Sequence, residues 1–255
     1  MSKLLALEKE HTKEYQSFLE GKSVAIVGPA SSVMFEENGD FIDSHDVVIR
    51  INKGVELTRK QDKLTFIGEK TDVLYNSLDF DPLSGGDLDN LNLEGVKYIC
   101  CPYAIKERTF KDKIFYNDDE SYFEKYNIRF INDDTYYFSI ERTNSRLNSG
   151  FGAILDILDM PIKNIYVTGV DFYRSVYQDG YNIQRNWGTS HEKIENDLEF
   201  KIFDDDSHHN PDRQFKYFKE LIQNDNRIRL DEFMKKIICD ERYDNWETIP
   251  RDHLR

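Results

Sequence analysis

Residues 24–52 read VAIVGPASSVMFEENGDFIDSHDVVIRIN, and the fold follows from how that stretch is punctuated. An apolar run, Val24–Val27, meets a Gly28-Pro29 turn, and a second run, Asp46–Ile51, ends in Asn52. Runs without polar alternation are what strands buried on both faces of a parallel sheet look like. In such sheets ligands sit beyond the carboxyl ends of the strands, where glycine lets the backbone approach a phosphate. Two strand ends side by side therefore predict a nucleotide-phosphate cradle.

Further runs at Val73–Tyr75, Val96–Cys101, Ile128–Ile131 and Ile165–Gly169 continue the pattern. A helix is expected from Gly150 to Leu158, stopped by Met160-Pro161, and another from Asn210-Pro211, where Asn is a favoured cap and Pro a favoured first residue. The expected fold is α/β, a doubly wound, mostly parallel sheet in a single Rossmann-like domain spanning 23–240. Residues 1–22 read as an amphipathic helix packed on that domain and 241–255 as a tail. The long polar segment 173–207 reads as a functional or mobile loop. The aromatic and acidic stretch from Phe110 to Tyr137 reads as a lid or acceptor wall, or simply as core filling.

The 255 residues carry a formal charge of -14, which excludes the basic footprint of a duplex nucleic-acid or anionic-membrane binder. No run approaches the roughly 18 apolar residues that span a bilayer, and the first residues lack a secretory leader's sustained apolar core. Cys100, Cys101 and Cys239 have neither metal nor disulfide spacing, so a cytoplasmic setting is expected. Asp204-Asp205-Asp206 beside His208 and His209 invites a metal reading, but a solvated acidic loop explains it as well and is preferred.

Three ordered blocks resemble the sialylmotifs of the eukaryotic-type sialyltransferases, glycosyltransferase family 29. VAIVGPASSV with IDSHDVVIRIN and IGEKTDVLYNS (67–77) is similar to the large motif. NSGFGAILDILDMPIKNIYVTGVDF from Asn148 is similar to the small one, and His209 to Gln214 falls where H-x4-E is expected. The resemblance implies a GT-A-variant sialyltransferase fold. It further implies a CMP-activated sugar as donor, a carbohydrate acceptor, inversion, no cofactor and no metal. Donor contacts are implied at Gly28, Asn52, Ser149, Gly150 and Gly169, and a general base at His209, with His208 one residue away as its rival and His191 as a phosphate partner. A turn glycine, a strand-ending Asn and a plain helix start account equally for most of these positions.

Two departures stand out. Pro29 occupies the family's Asn position with neither amide nor N–H, so Ser31, Ser32 or the backbone is expected to substitute. Gln214 replaces Glu, retaining hydrogen bonding without charge. The family's disulfide between the large and small motifs is absent, because Val24 stands at the first position and no cysteine lies near Ser149. Of the other histidines, His45 is expected to order a turn, and His11 and His253 to be solvated.

Overall fold

A computed structural model describes residues 2–79, 85–105, 123, 125–181 and 209–244. Seven strands form one sheet: β1 (Ser23–Val27), β2 (Val47–Ile51), β3 (Val73–Tyr75), β4 (Tyr98–Cys101), β5 (Ile128–Phe130), β6 (Asn164–Thr168) and β7 (Ile228–Leu230). Their order is β5-β4-β3-β2-β1-β6-β7, and every neighbouring pair is parallel. The chain winds outward from β1 to one edge, then returns to β6 on the other flank of β1. The crevice between β1 and β6 is therefore the topological switch point, where such sheets bind ligands.

Successive residues of β1 point into two separate cores. Val24 and Ile26 join the larger one with Val47, Ile49, Phe151 and Phe215, whereas Ala25 and Val27 join a smaller one with Val33, Ile42, Val48 and Ile67. Both faces are thus covered, which explains the uninterrupted apolar runs. Helices α1 (Ser2–Leu19), α4 (Asp133–Thr143), α5 (Ser149–Leu158), α6 (Pro211–Asn224) and α7 (Glu232–Cys239) supply residues to the larger core. The short α2 (Gly39–Asp43) and α3 (Leu64–Ile67) cover the other face.

Helix α5 is buried almost throughout, yet it carries Asp156, fully enclosed. That carboxylate accepts from Arg129 Nη2 of β5 at 3.0 Å and from the Tyr75 hydroxyl of β3 at 2.5 Å. Tyr15 of α1 touches Tyr75 Oη at 3.3 Å and lays its ring 4.8 Å from the Arg129 guanidinium. One buried ion pair with its tyrosines thereby binds the N-terminal helix to the sheet and to α5. Removing either charge would strand the other in a low dielectric, at about 3–5 kcal/mol.

Two sequence expectations need correction. His11 is not solvated: it is buried, with Nδ1 2.9 Å from the Ile128 carbonyl. The described part of 110–137 is not a lid, because it holds β5 and the start of α4. Among the described residues no helix is long and apolar enough to cross a membrane.

Candidate active site

At the switch point the backbones of Gly28 and Gly169 touch. Gly28 N–H donates to Thr168 O at 2.8 Å, and a Cβ on Gly28 would lie 2.0 Å from Gly169 O. Gly169 has φ +65°, and its own Cβ would lie 2.6 Å from Gly28 O. Each glycine is demanded by the other, so the space beside Gly28 is filled by the residues that follow β6.

The following turn is held the same way. Pro29 O accepts from Gln178 N–H at 2.9 Å, Ala30 N–H donates to Gly169 O at 3.1 Å, and Ser31 N–H donates to Val176 O at 2.6 Å. Ser32 Oγ donates to Asp171 at 3.0 Å, and Ser175 Oγ donates to the same carboxylate. Burial pushes the Asp171 carboxyl up to about 6, against those two hydroxyl bonds. The N–H of Ser31 and the hydroxyl of Ser32 are thus committed to the loop after β6.

One cleft wall comes from Asn52, which takes a left-handed φ of 49°, a conformation that Asn tolerates. Its Oδ1 accepts from Ser77 N–H at 2.9 Å, its Nδ2 donates to Ser149 Oγ at 3.3 Å, and it bonds the Tyr181 hydroxyl. Asn52 therefore joins the ends of β2 and β3 to the start of α5. Arg50, two residues earlier, lies fully within the protein: its Nε donates to Thr71 Oγ1 at 2.9 Å, and its Nη2 to the carbonyls of Ile67, Gly68 and Lys70. That side chain and the G-E-K-T segment thus recognise each other.

Helix α5 is capped by Asn148, whose Oδ1 accepts from Phe151 N–H at 2.8 Å. Ser149 and Gly150 head the helix, with their N–H groups at its positive end. Ser149 Oγ lies 3.3 Å from the Tyr103 hydroxyl at the end of β4, and the Arg146 guanidinium stacks 4.5 Å from the Tyr103 ring. Arg146 Nε is buried without a hydrogen-bond partner.

His209 reaches this corner from the start of α6. Its Nδ1 lies 3.0 Å from Arg146 O, and a carbonyl only accepts, so Nδ1 carries the proton and Nε2 is the basic nitrogen of the neutral ring. Gln214, fully buried on α6, grips the same loop. Its Oε1 accepts from Asn148 N–H at 3.1 Å and Nδ2 at 2.9 Å, while its Nε2 donates to Ser145 Oγ at 3.0 Å and Arg146 O at 2.8 Å. That residue orders the loop on which His209 rests.

The structure thus joins Asn52 with Ser149, and His209 with the loop before them, while Gly28, Pro29, Ser31 and Gly169 form the adjoining seam. His191, His208, His253 and the Asp204–Asp206 run lie outside the described residues. His45 orders the end of α2 through Phe41 O at 2.9 Å. Sequence reasoning missed Tyr103, Arg146, Gln178 and Tyr181. Only Arg146, three residues before Ser149, carried a local cue. No group of three or more His, Cys, Asp or Glu able to hold a metal occurs among the described residues.

No protein-family model matches the chain, and no curated protein matches its sequence. Solved structures do. The monofunctional alpha-2,3-sialyltransferase Cst-I from Campylobacter jejuni aligns with TM-score 0.50 at 17% identity over 83% of this chain and 77% of that one. A mammalian sialyltransferase in complex with Gal-beta-1-3GalNAc-ortho-nitrophenol gives 0.49 at 16% identity, over 84% and 71%. The sialyltransferase CstII from Campylobacter jejuni in complex with the substrate analogue CMP-3FNeuAc gives 0.47 at 18%, over 82% and 78%. The likeness to Cst-I is one of fold: a single α/β Rossmann-like domain of sialyltransferase type.

Proposed function

We propose that the protein transfers an acidic sugar, of sialic acid or Kdo type, from its CMP conjugate to a hydroxyl of a carbohydrate acceptor, with inversion and without a metal. The observation that carries this reading is the His209–Arg146 carbonyl bond of 3.0 Å, which holds the His209 ring on the loop before α5 and leaves Nε2 as its basic nitrogen. His209 takes the proton of the acceptor hydroxyl as its oxygen attacks the anomeric carbon and the bond to the CMP phosphate breaks. Charge accumulates on the departing phosphate, where the Ser149 and Gly150 N–H groups and the Asn52 amide meet it, with Arg146 adding a positive charge. His191 serves as a further phosphate partner. The sequence blocks and the Cst-I-like fold support the same reading, as does the switch-point position of the cleft. An exposed free Cys239 fits a reducing, cytoplasmic setting.

Release of CMP from CMP-N-acetylneuraminic acid or CMP-Kdo in the presence of carbohydrate acceptors tests this. His209→Ala is expected to slow release by about 10²–10⁴-fold, with His208→Ala close to wild type. CMP at 100 times its dissociation constant should stabilise the fold by about 2.7 kcal/mol. No response to CMP sinks the reading. CMP binding without turnover of either donor makes the protein a nucleotide sensor on the same fold.

A further inference from the structure

Pro29 leaves the first strand turn without an amide side chain, and Gln178 meets that turn through its backbone from the loop after β6. Gln178 donates its backbone N–H to Pro29 O at 2.9 Å, and its carbonyl accepts from Tyr181 N–H at 3.1 Å. Tyr181 bonds Asn52, so the turn 178–181 lies across the ends of β1 and β2, with Gln178 at the first and Tyr181 at the second. Lys60 Nζ holds this turn through Asp179 O at 3.3 Å, and Lys53 Nζ stands 5.8 Å from the Tyr181 ring.

Gln178 is 2% exposed, and its Nε2 and Oε1 are both buried with no hydrogen-bond partner. Its counterparts differ: Gln214 makes four hydrogen bonds through its amide, and Asn76 bonds at both ends, to Gly85 O and Leu78 N–H. A buried amide unsatisfied at both ends is costly and rare, and beside a ligand crevice a ligand group can supply the missing partners. A phosphate oxygen only accepts and would satisfy Nε2 alone. A sugar hydroxyl both donates and accepts, and two neighbouring hydroxyls match the two ends of an amide.

We infer that Gln178 is a donor-recognition residue whose side-chain amide binds hydroxyls of the nucleotide sugar, on the ribose or on the transferred sugar, supplying from the loop after β6 the amide that Pro29 lacks. This rests on the CMP-sugar reading of the cleft. A residue serving a ligand also leaves a signature that a structural residue does not, because its apolar replacement relieves the ligand-free protein while weakening binding.

The test is calorimetric titration of wild type, Gln178→Leu and Gln178→Met with CMP, 2′,3′-dideoxycytidine monophosphate and CMP-N-acetylneuraminic acid, alongside ligand-free melting. The expected result is a melting temperature at or above wild type and about tenfold weaker binding. If CMP is weakened and the dideoxy analogue is not, the ribose is the partner. If CMP is unchanged and the CMP-sugar is weakened, the transferred sugar is. Affinities within twofold for all three ligands overturn the inference, and so does equal weakening of the dideoxy analogue and CMP. A lower melting temperature in both variants also overturns it, marking a structural glutamine. Wild type that binds none of the three fails the functional reading itself, a result distinct from any effect of the variants.

Discussion

Backbone joins β1 to β6, whereas side chains join α5 to α6. At the first junction Gly28 and Gly169 approach until neither has room for a Cβ. At the second, the amide of Gln214 spans the gap with four hydrogen bonds to Ser145, Arg146 and Asn148. The seam excludes every side chain. The knot admits any buried group that both donates and accepts. Both kinds of constraint leave motif-like residues in the sequence, but only the knot holds the loop on which the candidate base rests.

The harshest way to break the comparison is Gly28→Ala. Its methyl meets the Gly169 backbone just past β6, which cannot move without parting the strands, and the expected loss is about 3 kcal/mol or more, read from the urea midpoint. A variant of near wild-type stability would show that the seam is looser than its geometry.

Gln214→Glu tests the knot by removing one capability. A carboxylate still accepts from both nitrogens of Asn148, but it faces Arg146 O with no proton to donate. A loss of about 1–3 kcal/mol is expected at pH 7. Burial raises the folded-state value of such a carboxyl above its unfolded one, so the deficit should shrink as pH falls and the group protonates. Equal urea midpoints at pH 7 would deny the need for a donor there.

The turn that buttresses the seam has its own pH signature. The Asp171 carboxyl is pushed up to about 6 in the folded protein, whereas an unfolded aspartate titrates near ~3.9. The folded state therefore holds the proton more tightly. This contribution to stability is full below about pH 4 and is lost as pH rises through about 6, a loss on the order of 3 kcal/mol. Asp171→Asn keeps an acceptor for Ser32 and Ser175 and should flatten that part of the stability profile. Asp231, whose carboxyl is also raised by burial, leaves a residual slope. Smallest of all is Ser31→Ala. The turn uses Ser31 N–H, which alanine retains, so stability should change by less than about 0.5 kcal/mol and CMP affinity by less than twofold.

Six of the seven strands were legible because burial on both faces writes each as a short apolar run. β7 was not: Ile228 and Leu230 flank an exposed Arg229, and three residues carry too little pattern to register. The expected Val96 start of β4 moved to Tyr98 because Val96 N–H closes a turn on Leu93 O. Among the candidate site residues, Asn52, Ser149 and His209 stood out in the sequence because each ends a strand or heads a helix. Tyr103, Gln178 and Tyr181 were not, since they meet Ser149, Pro29 and Asn52 across 46 or more residues of chain. His11 was misjudged because a terminal histidine looks solvated until a partner strand covers it.

Local sequence was sufficient for the strand succession, the glycine turn, the two polar helix starts and the class of sheet, because buried strands and caps are specified by residues within a few positions of one another. Tertiary structure alone decided that Gly28 answers Gly169, that Arg50 serves the Ile67–Thr71 loop, that Gln214 orders the His209 corner, and that Gln178 stands with both amide ends unpaired beside Pro29. Hydrogen-bond satisfaction is a property of the assembled crevice, where partners distant in the chain either arrive or do not.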